Sequence, residues 1–216
     1  MKELLKCLTK KNFSKATVKR LPLYYQVLQN FENNGIEEIS SMEITKILGI
    51  KPEQIRKDLT AFGNFGIKGL GYKVTELKNK IGNILGLQNN WRIAIIGVGK
   101  LGTALANYEK LSEFGFVLAA LFDIDKNKIG DEINDVRIYD FEKFVSISRR
   151  KLIDIGVIAV PDGAAQHVAD VLAEAEVRGI WNFTSVKLQV PYFITVVNEN
   201  LTAGIGALSF YLNQND

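Results

Sequence analysis

The chain has 216 residues, 47% of them hydrophobic and 24% charged, with a formal net charge of +3; this balance excludes a disordered or collagen-like protein and allows one large domain or two small ones. One cysteine, Cys7, and one histidine, His167, cannot build a disulfide framework, a zinc finger or a catalytic triad with a metal to spare, so no metal site is expected. The longest apolar runs, 116–122 and 155–160, fall far short of the roughly 18 residues of a membrane span. Lysines interrupt the N-terminus where a signal peptide needs an unbroken apolar centre. A cytoplasmic protein with no membrane partner is expected. Charge is unevenly spread: residues 1–90 hold 15 Lys and Arg against 8 Asp and Glu, a net of +7, and residues 91–216 hold 12 against 16, a net of −4. Two domains with different partners are implied, the basic one suited to a polyanion.

From Thr17 to Phe31, Leu21, Tyr24, Tyr25, Leu28 and Phe31 recur at the spacing of an amphipathic helix, which Asn33-Asn34-Gly35 ends. Ser40 with Glu43 three residues later is a capping box opening a second helix, expected to carry Ile44, Ile47 and Leu48 inward and to stop at Gly49. A third helix starts at Pro52, buries Ile55, Leu59 and Phe62, and ends at Gly63. The tight Gly49-Ile50-Lys51 link makes these two a helix-turn-helix, whose second helix enters the major groove of DNA. Its outward face carries Gln54, Arg56, Lys57 and Thr60, which reach phosphates and base edges; arginine's planar fork matches the O6 and N7 acceptors of guanine. An ordinary polar surface helix accounts for the same four residues. The glycine-rich, basic segment 64–74 favours the DNA reading, because it has the pattern of a β-hairpin wing with Lys68 at its tip; Gly69 and Tyr72 of the same segment are further DNA-contact candidates. A helix over 74–85 then leads to a polar break at 86–90, taken as the domain boundary.

Residues 92–96 form a buried-strand pattern that runs into Gly97-Val98-Gly99-Lys100-Leu101-Gly102 and an Ala- and Leu-rich helix. A G-x-G-x-x-G that closes a strand and opens a helix is the setting in which each glycine has a physical role: Gly97 makes the turn, Gly99 admits a pyrophosphate to the backbone, and Gly102 lets helix and strand pack closely. The later Gly204-Ile205-Gly206 lacks that setting and is read as packing. A second strand, 116–122, leads to Asp123, twenty-one residues after Gly102, where an acid bonds the adenine ribose and repels the 2′-phosphate of NADP; Asp125 is the alternative ligand. Strands at 136–139, 153–160, 180–184 and 193–197 alternate with helices, implying a doubly wound parallel sheet of Rossmann type. Val160 and Pro161 fall at its carboxyl edge, where ligand contact is expected. His167 is read as a solvated or packed side chain on the helix after the fourth strand, and no general base is evident.

The joint pattern resembles the Rex family of bacterial redox-sensing transcriptional repressors. The matching stretches are ATVKRLPLYYQVL, ISSMEITKILGI, QIRKDL, FGIKGLGYKV, IIGVGKLGTALANY, LFDIDKNKIG, WNFTSVKLQVP and ALSFYL, spread over nearly the whole chain. The resemblance implies an α/β protein with a winged-helix DNA-binding domain (1–86), a Rossmann domain (91–198) that senses NADH against NAD, and a terminal helix (199–216) exchanged in a homodimer that binds palindromic operator DNA. By motif, Arg56 and Lys57 contact DNA with Lys68 from the wing, Gly97, Gly99, Leu101, Gly102 and Asp123 hold adenosine and pyrophosphate, and Tyr108 lies near the nicotinamide. Three positions depart from the family pattern: Ala61 stands for a tyrosine, Lys68 for an arginine, and Asn200 for an aspartate that engages residues equivalent to Arg20 and Tyr108 in switching. Lysine lacks arginine's bidentate fork, and Asn200 offers only uncharged hydrogen bonds. Two other functions fit parts of the sequence: an NAD-dependent dehydrogenase with a basic accessory domain, and a nucleotide- or coenzyme A-binding scaffold.

Overall fold

Ser14 accepts a hydrogen bond from the Thr17 N–H at 3.0 Å and so starts the first helix, α1 (Lys15–Asn33), in a computed structural model that describes residues 14–63 and 71–214. Contacts divide the chain into two units, Met1–Gln88 and Asn89–Asp216. Cys7 and the wing residues Lys68 and Gly69 lie outside the described residues.

In the first unit α1 is followed by β1 (Glu38–Ile39), α2 (Ser41–Leu48), α3 (Pro52–Phe62), β2 (Tyr72–Lys73) and α4 (Val74–Leu85). The expected capping box is formed, Ser40 and Glu43 each satisfying the other's backbone N–H, and Gly49 ends α2 in the left-handed conformation at φ 67°. Pro52 occupies the first turn of α3, and β1 pairs with β2 antiparallel through Ile39 and Tyr72. Leu21, Tyr24, Leu28, Ile44, Ile55, Leu59, Leu77 and Ile81 close one core between the helices. Ile47 is a correction: it is 55% exposed. The inward stripe of α2 runs through Ser41, Ile44 and Leu48, and at about 100° per residue Ile47 falls roughly a quarter turn off its middle.

The polar centre of this unit is Asp58, on α3 and only 1% exposed. Its Oδ2 accepts from Arg20 Nε at 2.5 Å and from the Tyr24 hydroxyl at 2.7 Å; its Oδ1 accepts from Arg20 Nη2 at 2.8 Å, Gln54 Nε2 at 2.8 Å and Thr17 Oγ1 at 3.1 Å. Burial alone would raise the Asp58 pKa, but the hydrogen bonds from Arg20, Tyr24 and Gln54 outweigh it and hold the carboxyl below its ordinary range. Burial and the same carboxylate push the Tyr24 hydroxyl up. Asp58 thereby ties α3 to α1.

The second unit contains β3 (Trp91–Ile96), α5 (Lys100–Ala106), α6 (Lys110–Glu113), β4 (Phe116–Asp123), β5 (Glu132–Ile133), β6 (Val136–Asp140), a 3-10 turn (Phe141–Lys143), α7 (Phe144–Lys151), β7 (Ile155–Ile158), α8 (Asp162–Glu174), β8 (Gly179–Asn182), β9 (Thr195–Asn198) and α9 (Leu201–Leu212). The sheet runs β5-β6-β4-β3-β7-β8-β9 and is parallel except for the β5–β6 hairpin. Without β5 the order is the doubly wound one, reversing direction at β3 between β4 and β7. Alternation along β3 feeds two cores: Ala94 and Ile96 pack with Phe144, Val168 and Leu172 from α7 and α8, and Ile93 and Ile95 pack with Ala106 of α5. The fourth strand is shorter than 153–160 and the last is displaced to Thr195–Asn198. No residue of α9 is buried, and Leu201, Ile205, Leu208, Phe210, Tyr211 and Leu212 are all more than half exposed. Gly204 and Gly206, read from the sequence as packing glycines, have nothing within 4 Å of a built Cβ.

A depressed carboxyl adds stability that is complete above the unfolded group's titration, near about pH 3.9, and vanishes as pH falls through the lower folded value. Hydrogen exchange of α1 and α3 in the full chain, corrected for its intrinsic pH dependence, should therefore stay protected down to about pH 4 and lose protection below it. Asp58→Ala should lose about 3 kcal/mol at neutral pH, the low end for breaking a buried pair because Arg20 keeps 22% exposure.

Candidate functional site

Where β3 ends, Gly97 turns the chain at φ +93°, its N–H bonded to Phe122 O at 2.8 Å. A Cβ there would meet Ala159 O at 2.5 Å and Val160 Cγ1 at 2.9 Å, and one on Gly102 would lie 1.9 Å from Gly97 O. Both positions require glycine for the chain's own packing. Gly99 differs: nothing lies within 4 Å of a Cβ built on it, so the chain's own packing does not require glycine there.

Asp123 closes β4 and is 8% exposed. Its Oδ2 accepts from the Val98 N–H at 2.8 Å and Lys128 Nζ at 3.3 Å, and its Oδ1 from the Asp125 N–H at 2.9 Å. Burial pushes its pKa up, but the Asp125 and Val98 N–H groups and the Lys128 ammonium more than offset this and keep it below the usual carboxylate range. Beside it opens a cavity of about 510 Å³ lined by Ile96, Gly97, Gly99, Asp123, Ile124, Lys128, Phe141, Glu142, Ala159, Val160, Pro161, Ala164, His167 and Val168. Asp125 does not line it; its Oδ1 accepts from the backbone and side chain of Asn127. The cavity thus brings together Gly97, Gly99, Asp123, Val160 and Pro161 from the residues expected.

Other expected residues stand elsewhere. Val98 is buried with the core on the other face and reaches the site only through its N–H. Lys100 is exposed, Leu101 half-buried, and Gly102 buried beneath the turn. Tyr108 is 50% exposed in the turn between α5 and α6 and does not line the cavity. Sequence reasoning missed Lys128, although it lies five residues past the acid, and Phe141; His167, read as solvated or packed, is exposed with its ring edge to face against Phe141 at 6.2 Å. Among the described residues no cluster of His, Cys, Asp and Glu could hold a metal ion.

On α3, Arg56, Lys57 and Thr60 are exposed. The Arg56 guanidinium is braced by Ser41 Oγ at 3.0 Å and Glu53 Oε1 at 3.2 Å. Gln54 is half-buried, its amide nitrogen turned onto Asp58, and Tyr72 is half-buried on β2, where burial raises its hydroxyl pKa against the Arg56 charge. Of the three expected switch residues, Arg20 is held by Asp58, Tyr108 is exposed, and Asn200 caps α9: its Oδ1 accepts from the N–H groups of Thr202 and Ala203 at 3.0 and 3.1 Å.

The CoA binding domain family model matches residues 88–186, and the family model described as "Putative DNA-binding protein N-terminus" matches residues 12–60. The chain is 44% identical over 207 residues to a redox-sensing transcriptional repressor Rex of Clostridium perfringens, covering 96% of this chain and 98% of that protein. It is 42% identical to the Rex of Clostridium botulinum over 96% of this chain and 99% of the relative. Among solved structures it resembles RSP in complex with β-NAD+ and operator DNA, at TM-score 0.88 and 39% identity over 95% of each chain. RSP in complex with β-NADH follows at TM-score 0.86 and 37% identity, over 95% of this chain and 97% of that one. With both domains matched end to end at this level of identity, the chain belongs to the Rex family of redox-sensing transcriptional repressors.

Proposed function

We propose that this chain is a DNA-binding transcriptional repressor that senses NADH against NAD and releases operator DNA when NADH binds its Rossmann domain. The observation that carries this is the likeness, over 95% of the chain, to a repressor whose structures hold operator DNA with β-NAD+ in one case and β-NADH in another. The relatives' names favour regulation over the dehydrogenase reading, and the full-length match extends well beyond the segment matched by the coenzyme A model. Acting on bacterial DNA, the protein works in the cytoplasm; among the described residues no helix is long and apolar enough to cross a membrane.

The site fits a dinucleotide on its own geometry. Gly99 leaves unfilled the space a pyrophosphate takes, and ionised Asp123 keeps a lone pair on Oδ1 for a ribose hydroxyl beyond those given to Val98, Lys128 and Asp125. The bound dinucleotide supplies a nicotinamide whose charge and shape differ between redox states; Tyr108 lies near that ring by motif. Lys128 blunts the repulsion that Asp123 exerts on a 2′-phosphate. For DNA, Arg56, Lys57 and Thr60 face outward on α3 with Gln54 at its edge, and Tyr72 lies on β2; Lys68 and Gly69 join them by the sequence pattern alone. The partner of α9 is a second copy of the chain, because a helix apolar on all sides is stable only when covered. Residues 1–86, 91–198 and 199–216 are the DNA-binding, sensing and dimerisation segments.

Gly99→Val should abolish NADH binding in calorimetry and leave the melting temperature unchanged, whereas Gly102→Ala should lower the melting temperature, since its Cβ collides with backbone. Asp123→Ala should narrow the preference for NAD(H) over NADP(H) and destabilise the fold by orphaning two N–H groups; Lys128→Ala should widen that preference at little cost in stability. A ligand shifts an equilibrium only by its differential affinity, and coupling is reciprocal. NADH affinity measured with and without saturating operator should therefore change by the same factor as operator affinity with and without NADH; an operator affinity indifferent to NADH would remove the sensor from this reading.

A further inference from the structure

Asp58 sits one turn after Gln54 on α3 and takes one of its two amide N–H groups at 2.8 Å. A carboxylate only accepts, so the Gln54 nitrogen must face it, and the side-chain oxygen must face away. This arrangement does not depend on Gln54 alone: Arg20, Tyr24 and Thr17 hold the same carboxylate from α1, so the atom that fixes the glutamine is itself fixed. Among the described residues Gln54 Oε1 accepts nothing, and Gln54 is half-buried at the edge of the exposed Arg56, Lys57 and Thr60 face.

We infer that Asp58 is a positioning residue for operator reading, which commits Gln54 to recognising an adenine in the major groove of each half-site. The inference rests on the operator-binding reading above and deepens it. A free glutamine amide carries two donors and an acceptor and can serve several base edges. With one N–H spent on Asp58, it retains one donor and one acceptor. Guanine presents two acceptors there, N7 and O6, which two donors would be needed to serve; adenine presents the N7 acceptor and the N6 donor, which the remaining pair matches in a bidentate fashion. Cytosine offers a donor for the oxygen but leaves the remaining N–H without a partner.

The test uses the full-length dimer and a panel of operators in which each half-site position is replaced in turn by the other three base pairs. The wild type should prefer adenine at one position by roughly 5- to 150-fold, the range of one good bidentate contact. Gln54→Ala should erase that preference and leave the other positions unchanged. Asp58→Asn should narrow it at the same position, and the double variant should lose nothing further there. Thr17→Val, which loosens the Asp58 cluster without touching Gln54, should lower the melting temperature and keep the preference; this separates positioning from stability. Should Asp58→Asn fail to fold, Gln54→Ala alone decides the adenine assignment and Asp58→Glu the positioning: displacing the carboxylate by one methylene should narrow the preference at that position, and an unchanged preference overturns the role. A Gln54→Ala protein with the wild-type pattern, one weakened equally at all positions, or a wild type preferring another base at the Gln54 position overturns the inference while leaving operator binding intact. An unchanged preference in folded Asp58→Asn overturns the positioning role. A wild type with no sequence preference at all overturns the operator-binding reading itself.

Discussion

The closeness of α5 to the end of β3 is the constraint from which the sensing site follows. A side chain on Gly102 would stand 1.9 Å from the Gly97 carbonyl oxygen, so helix and strand meet backbone to backbone and the loop between them has one course. Asp123 then fixes that loop from the neighbouring strand by accepting the Val98 N–H. Held at both ends, the loop leaves its central glycine, Gly99, facing open space. A loop held in this way by rigid backbone and one ionised acid needs little ordering to receive a ligand.

The two domains solve the same electrostatic problem alike. Asp58 and Asp123 are each withdrawn from water, and a buried charge is tolerated only when its lone pairs are satisfied. Asp58 has five hydrogen bonds from four residues; Asp123 has two backbone N–H groups and an ammonium. Among the described residues no buried side-chain nitrogen or oxygen lacks a partner. Both carboxylates therefore organise the groups around them: one fixes the amide of Gln54 on α3, the other fixes the glycine loop. Removing either leaves donors unpaired, so function and stability are coupled at these positions.

Local rules made much of this legible. Ser40 with Glu43, Pro52, Gly49 and the strand-loop-helix setting of Gly97 to Gly102 are signals within a few residues, and each forms the expected structure. What was illegible depends on partners distant in sequence. Asp58 reads as one more polar residue on a helix, because the Arg20 and Tyr24 that define its role are more than thirty positions away. Phe141 and His167 meet only once α8 has crossed back over the sheet. The β5–β6 hairpin turns at Asn134-Asp135, both at positive φ, but its first strand, Glu132–Ile133, is too short to register as periodic, so only β6 was legible. Ile47 failed for a different reason: a helix of eight residues has too few turns for spacing to fix the middle of its buried stripe.

Asn200 changes how α9 can take part in switching. Its Oδ1 is already shared among the Thr202 N–H, the Ala203 N–H and the Thr202 hydroxyl, and its Nδ2 only donates. Arg20 is also donor-only, so Asn200 cannot cap α9 and pair with Arg20 as an aspartate with a second free oxygen would. The charge-assisted contact thereby forgone is worth about 1.5–3 kcal/mol, whereas carrying a population from 1:99 to 99:1 takes about 5.5 kcal/mol. Without that contact the difference between two arrangements has to come from elsewhere, and buried apolar surface is one source. At about 25 cal/mol per Å², a difference of roughly 220 Å² of apolar burial between two arrangements of the dimer supplies it. Phe210 and Tyr211, both exposed on α9 and each able to bury about 150–250 Å², are enough to span that difference when they repack together. Repacking of the apolar face of α9 is thus large enough to match that free energy, and Asn200 holds the first turn of that helix in place.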